Sequence, residues 1–264
     1  MNKGVGIIPA RWGSTRFTGK PLHLIAGKAL LRRVLERCER AKNLDSVIVA
    51  TDDMRIAEAA FNWGAQVALT STNHCSGTDR VAEVVRKTKE FVFIVNIQGD
   101  EPLIEPRLID RIVEKLRSDR AIQMVTAGHP FEHPADALSP HQVKVVVDLA
   151  GNALYFSRAP IPFQPSRRAG LQSAETRKTR LGDRPSLLRH QGIYGFRRNA
   201  LLQFVKWKLA PLERAESLEQ LRALENGVKV HVLLTAKGSP GIDTPADAKA
   251  LEKKLARVGR KFAR

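Results

Sequence analysis

The chain has 264 residues, 43% of them hydrophobic, and a formal net charge of +17. This is enough for one α/β domain with a small lobe; no apolar run reaches the ~20 residues of a membrane span, and the N-terminal MNKGVGIIPAR is too short for a secretory signal. Cys38 and Cys75 lack metal-ligand spacing and form no disulfide framework, and no zinc-finger, basic-zipper or RNA-binding aromatic pattern accompanies the charge, so a cytoplasmic protein with no nucleic-acid partner is expected.

Val5 to Ala10 reads as a first strand. The loop after it, Arg11 to Pro21, holds Arg11, Arg16, Lys20, two glycines and three hydroxyl residues. Glycines let backbone N–H groups approach an anion, and Arg and Lys neutralise phosphate. The loop matches neither GxxxxGK[ST] nor GxGxxG, so it suggests a phosphate cradle of another kind. A flexible basic turn is the plainer alternative.

The 3.6-residue periodicity predicts a helix over Lys28–Lys42 with Leu30, Leu31, Val34, Leu35 and Cys38 inward. Val47–Thr51 is a strand ending at Asp52-Asp53, residues 53–63 a helix closed by Gly64, and Gln66–Thr70 a short strand. His74 to Arg80 then leads into a helix facing inward with Val81, Val84 and Val85. Ser, Gly and Thr at a helix start are ordinary caps, but a helix N-terminus also receives anions.

Phe91 to Pro102, FVFIVNIQGDEP, is the stretch that organises the chain. Five of its first six residues are apolar, which predicts a strand buried on both faces in a parallel sheet. Ligands bind beyond the carboxyl ends of such strands, where Asp100 and Glu101 sit. Adjacent carboxylates there suit a hard divalent cation, although a polar turn would look the same.

A helix from Pro106 buries Leu108, Ile109, Ile112, Val113 and Leu116. Strands follow at Gln123–Ala127 and Val143–Asp148. Strand–helix alternation through the first 150 residues argues for a mostly parallel twisted sheet flanked by helices. Ala153 to Pro162 contains Arg158, a charge among apolar neighbours that needs a partner. Residues 166–189 carry seven Lys/Arg and read as an exposed loop. His190 to Phe196 reads as a strand with glycine at a close approach. Leu212–Glu225 reads as one helix carrying Glu219 and Gln220, and Val228–Leu234 as a strand. Asp243 precedes a helix capped by Thr244 and opened by Pro245. Residues 250–264 form a basic C-terminal tail, expected to be a solvated, frayed helix.

Eight motifs, in order, carry a family resemblance: PAR-x2-STR-x2-GKPL, H-x-SGT-[DE]-R, VN-x-QGDEP, VKVV-x-D, YFSRA-x-IP, H-x-GIYG, PLE…LEQLR and G-x-DTP-x-D. Together, from residue 5 to about 250, they resemble the 3-deoxy-manno-octulosonate (Kdo) cytidylyltransferases. The resemblance implies a single nucleotidyltransferase domain over 1–264, similar in fold to the nucleotide-diphospho-sugar transferases. A sugar-binding and dimerisation lobe would span about 155–235. It implies transfer of CMP from CTP to the 2-hydroxyl of Kdo, releasing pyrophosphate and giving CMP-Kdo for lipopolysaccharide synthesis. It further implies a Mg²⁺ cofactor held by Asp100 and Asp243, and a homodimer. Arg11, Arg16 and Lys20 would hold phosphates, with Arg11, Lys20, Asp100 and Asp243 catalytic. Pro9, Ala10, Ser76, Gly77, Thr78 and Arg80 would complete the nucleotide side. Arg158, His190, Tyr194, Glu219 and Gln220 would bind the sugar, with Gln98 bridging both. Phe17-Thr18 stands where the family usually has Leu-Pro, and the 166–189 segment is longer and more basic than the family pattern. Alternatives are another acidic keto sugar, such as 8-amino Kdo or a sialic acid, or a non-catalytic anion- or RNA-binding descendant.

Overall fold

The structure, a computed structural model, describes residues 2–13, 17–163 and 187–262, with backbone alone at 134 and 257–262. The expected phosphate ligand Arg16 and most of the basic 166–189 segment lie outside the described residues. The chain forms two compact units. Unit 1 comprises Met1–Arg120, Ile193–Val205 and Ser239–Arg264, and unit 2 comprises Ala121–Gly192 and Lys206–Gly238.

In chain order, unit 1 opens with β1 (Lys3–Ala10), the two-residue strands β2 (Leu24–Ile25) and β3 (Lys28–Ala29), and α1 (Leu30–Cys38). β4 (Ser46–Thr51), α2 (Met54–Asn62), β5 (Gln66–Leu69), α3 (Gly77–Lys87), β6 (Phe91–Asn96) and α4 (Pro106–Ser118) follow. Unit 2 supplies β7 (Met124–Pro130), β8 (Lys144–Val147), β9 (Ala153–Ser157) and the first half of β10 (Leu188–Arg197). α5 (Arg198–Phe204) returns to unit 1. Unit 2 resumes with α6 (Pro211–Glu216), α7 (Leu221–Glu225) and β11 (Val230–Leu234), and α8 (Pro245–Phe262) closes unit 1.

Unit 1 is built on the order β6-β1-β4-β5, all parallel. The last residues of β10, Tyr194 to Arg197, pair antiparallel with β6. β6 is the organising strand expected: every residue but Val92 is buried. It pairs with β1 on one edge and β10 on the other, and α3, α4 and α5 pack against it, so no alternation is needed. α1 packs on α4 and α3 on α5. α4 buries the five predicted residues and presses directly on β10. A Cβ at Gly195 would stand 2.2 Å from Ile112 Cγ2, the close approach expected of that glycine.

Several element bounds differ from expectation. α1 begins at Leu30 because Lys28 and Ala29 pair with Ile25 and Leu24, and it ends at Cys38 in a turn where Ala41 N bonds Cys38 O. The predicted helix over 212–225 is two. Ser217 takes φ +51° between them, and the amide of Leu218 turns back to Glu213 O. The buried carboxylate of Glu213 holds α6 to α7 through Arg222. A side chain thus replaces helical continuity. β11 starts at Val230 because Gly227, at φ +74°, turns the chain first. α8 is not wholly solvated: Ala248 and Leu251 are buried against Ile25, Leu30 and Ile242.

In unit 2, β11 pairs parallel with β7 and β8 pairs antiparallel with β9. Leu188 and Arg189 of β10 pair with Val145 and Lys144.

Candidate active site

Parallel packing brings the carboxyl ends of β1 and β6 to one edge of unit 1, and a cleft opens there. Pro9, Ala10, Arg11, Lys20, Ser76, Gly77, Arg80, Gln98, Asp100 and Asp243 all line it, together with Pro21, His74, Cys75 and Gly99. Backbones approach closely at its floor. A Cβ on Gly99 would lie 3.2 Å from the carbonyl oxygen of Pro9, and one on Gly77 would lie 3.2 Å from the Pro9 ring. A side chain at either place would push the wall into the cleft.

Lys20 follows Gly19, whose φ of +70° turns the loop. Its Nζ donates to Asp100 Oδ2 at 2.7 Å and to Ile242 O at 2.9 Å, and lies 3.7 Å from Asp243 Oδ1. Ile242 N donates to Asp100 O at 2.9 Å, so the end of β6 and the segment before α8 are joined by backbone as well as charge. Asp247, the third residue of α8, accepts from Thr244 N at 2.8 Å and caps that helix with Thr244, as the sequence suggested. Asp100 and Asp243 thus converge on one cation. Among the described residues no third His, Cys, Asp or Glu completes a protein-only metal cage. Two carboxylates beside an open cleft fit Mg²⁺, which prefers few carboxylates plus phosphate oxygens and water.

The N-terminus of α3 also lines the cleft. Ser76 Oγ accepts from Asp79 N at 3.1 Å, an N-cap that aligns the first turn toward the cleft. Thr78 does not line the cleft; it is buried, and Asn96 Nδ2 donates to its hydroxyl at 3.2 Å. Arg80 reaches the lining although only 4% exposed. Its guanidinium is held by Asp52, at 2.9 Å, and by Thr70, so its orientation is set before any ligand arrives.

Sequence reasoning gave no role to His74. Its Nε2 lies 2.6 Å from Glu83 Oε2. Lys87, the Ser71 amide and His74 hold the Glu83 carboxyl well below its ordinary range, at about 2. The signal was present, since His74 opens the H-x-SGT segment, but its partner lies nine residues on, within α3.

The residues expected on the sugar side are divided between the units. Gln98 and Tyr194 belong to unit 1, and Arg158, His190, Glu219 and Gln220 to unit 2. Tyr194 is half-buried and pairs in register with Asn96. Arg158 donates from Nε to Glu216 O at 2.8 Å, from Nη1 to Pro140 O at 3.0 Å and from Nη2 to Ser217 O at 3.3 Å. The partner that its sequence setting demanded is therefore a set of backbone carbonyls. Its own carbonyl accepts from Lys144, a fully buried lysine that also donates to Ser139 O and Gln142 O. That anchor was missed because Lys144 sits in an apolar strand pattern. His190 is buried, with Nε2 2.9 Å from Thr126 Oγ1 and its ring edge-on to Phe156. Burial, with His129 nearby, pushes its imidazole down to about 3, so it is neutral and can act only as a polar, uncharged group. Gln220 is buried and Glu219 half-buried between the core leucines Leu218 and Leu221.

Comparison with known proteins identifies the family. The family described as Cytidylyltransferase matches residues 5–230. A 3-deoxy-manno-octulosonate cytidylyltransferase of Geobacter sulfurreducens is 47% identical, covering 94% of this chain and 98% of its own. One of Solibacter usitatus is 46% identical over 98% of this chain and 94% of its own. A solved CMP:2-keto-3-deoxy-manno-octonic acid synthetase complexed with CTP superposes with a TM-score of 0.87 at 38% identity, covering 97% of this chain and 99% of that one. A 4-diphosphocytidyl-2C-methyl-D-erythritol synthase from Anaerococcus prevotii, at 14% identity and TM-score 0.61, shares the fold alone. With the family match spanning most of the chain and full-length relatives well above the identity that coincidence allows, this chain belongs to the 3-deoxy-manno-octulosonate cytidylyltransferase family.

Proposed function

We propose that the chain transfers a cytidylyl group from CTP to the 2-hydroxyl of Kdo, releasing pyrophosphate and forming CMP-Kdo. The observation that carries this reading is the cleft of unit 1, which Lys20, Asp100 and Asp243 line together with the N-terminus of α3. Phosphoryl-group transfer needs positioning and charge neutralisation more than covalent chemistry, and these residues supply both. Arg11 and Lys20 bind the phosphates and stabilise the departing pyrophosphate. Ser76 and Gly77 present helix amides to the nucleotide, and Arg80 is pre-oriented by Asp52. Asp100 and Asp243 would hold Mg²⁺, which when bound would polarise the α-phosphate and favour deprotonation of the attacking hydroxyl.

The sugar assignment rests on the relatives' names; Arg158, His190, Glu219 and Gln220 all belong to unit 2, and the guanidinium of Arg158, oriented by three backbone carbonyls, has five N–H donors to share with a carboxylate. Another acidic sugar is not favoured. We read the protein as a homodimer: the edge strand β9 carries Leu154, 63% exposed, and the turn before it Leu149, 96% exposed, surface that a second copy would cover. A cytoplasmic location fits a CTP-consuming reaction and two free cysteines. No described helix is long and apolar enough to cross a membrane. The test is pyrophosphate release from CTP, Mg²⁺ and Kdo, with 8-amino Kdo and a sialic acid as competing acceptors. Release that is equal with sialic acid, or absent with Kdo, refutes the assignment.

A further inference from the structure

We infer that Lys20 is a built-in counterion, occupying the cation position between Asp100 and Asp243, and that a divalent cation must displace it. The inference rests on the magnesium reading above and adds an order of events to it. The Nζ of Lys20 lies 2.7 Å from Asp100 Oδ2 and 3.7 Å from Asp243 Oδ1, and Ile242 O, between the two carboxylates in sequence, accepts from it at 2.9 Å. An ammonium has three donors and no acceptor; this one donates to Asp100 and to Ile242 O and stands within ion-pair distance of Asp243, so its charge lies between the two carboxylates that a metal would need. The nearby Asp247 carboxylate feels the charge of Lys20 but makes its hydrogen bonds to Thr244 and the amide of Asp243. A Mg²⁺ ion bound at 2.0–2.1 Å from a carboxylate oxygen would stand in like-charge contact with the ammonium.

Lys20 therefore shields the pair from free metal, and a triphosphate gives it a new anionic partner. Nucleotide and metal then enter together, and the side chain that leaves the carboxylates arrives at the phosphates. The exchange needs little of the fold to move. Lys20 begins a short 3-10 turn (Lys20–Leu22) beyond Gly19, outside the strands.

The test uses Mn²⁺ alone, with no nucleotide, titrated into the full chain and followed by electron paramagnetic resonance. Lys20→Met and Lys20→Gln should bind Mn²⁺ at least about tenfold more tightly than the parent, the scale of one charge-assisted hydrogen bond no longer displaced. Circular dichroism confirms that each variant is folded, and the Gln variant carries the test if the Met variant is not. Adding Asp100→Asn to either Lys20 variant should abolish the gain. If neither folded Lys20 variant binds Mn²⁺ more tightly than the parent, the counterion role is overturned; turnover that needs Mg²⁺ and fails in Asp100→Asn then leaves the metal reading standing. If a Lys20 variant gains Mn²⁺ affinity that Asp100→Asn does not remove, the ion binds elsewhere, and both the counterion role and the placing of the metal at Asp100 fall.

Discussion

Replacing Asp100 with Asn separates chemistry from stability. The carboxylate is 28% exposed and touches Lys20 at 2.7 Å. Asn keeps the size and one oxygen, so Lys20 still has a neutral acceptor. A hydrogen bond to a charged group contributes ~1.5–3 kcal/mol and a neutral one ~0.5–1.5. The exchange should therefore cost about 1 kcal/mol, less after solvent screening at this exposure. The backbone bond from Ile242 N to Asp100 O is untouched, so the loop keeps its place. In a chain of this size that corresponds to a fall in Tm of ~2–4 °C at most. Turnover should respond far more if, as proposed, Asp100 holds the metal that offsets the charge developing on the α-phosphate. Losing a group of that kind lowers kcat by about 10²–10³, or ~2.7–4 kcal/mol. The assay is continuous pyrophosphate release at saturating CTP and Kdo, beside thermal unfolding of the same samples. A folded Asp100→Asn protein with near-parental kcat removes Asp100 from the mechanism. A Tm drop well beyond 4 °C would show that the carboxylate is chiefly structural.

Three further outcomes are expected. Arg158→Lys cannot reach Glu216 O, Pro140 O and Ser217 O at once, so stability should fall by ~1–3 kcal/mol and KM for Kdo should rise with little change for CTP; equal loss for both substrates would make Arg158 purely a scaffold. His190 is held down to about 3 against ~6.5 unfolded, so below pH 6.5 the unfolded chain takes up a proton that the folded one refuses. Stability is then lost as pH falls, by ~1.4 kcal/mol per unit or about 2 kcal/mol from pH 6.5 to 5, a slope that calorimetry should find missing in His190→Gln. Truncation before Arg257 removes Arg257, Arg260, Lys261 and Arg264 but leaves the buried Ala248 and Leu251 of α8, so kcat at moderate salt should stay close to parental, and a large loss in a folded truncation would bring the tail into the active site or an interface.

Much of the fold was legible because its rules are local. The apolar faces of α1, α3 and α4 follow a 3.6-residue period that a helix must bury, and β6 is an unbroken apolar run because neighbours cover both its sides. Ser76 and Thr244 announce helix starts by chemistry acting within three residues. Where reading failed, a longer-range contact had replaced the local rule. The periodicity over 212–225 continues through Ser217, but the Glu213–Arg222 pair allows the chain to break there. The start of α1 is delayed by a strand pair that no helical pattern contains.

The sequence by itself determined the chemistry-bearing residues and the order in which they arise: a basic loop after the first strand, carboxylates at the ends of β6 and before α8, and a capped helix between. Only the tertiary structure decided how they are matched. Lys20 meets Asp100 across 80 residues and Ile242 across 222, Arg80 takes Asp52 as its partner, and Arg158 spends its donors on backbone carbonyls. The reason is physical. Propensity and periodicity act over a few residues along the chain, whereas ion pairing and desolvation act through space, and which charges become neighbours is set by the strand order of a parallel sheet.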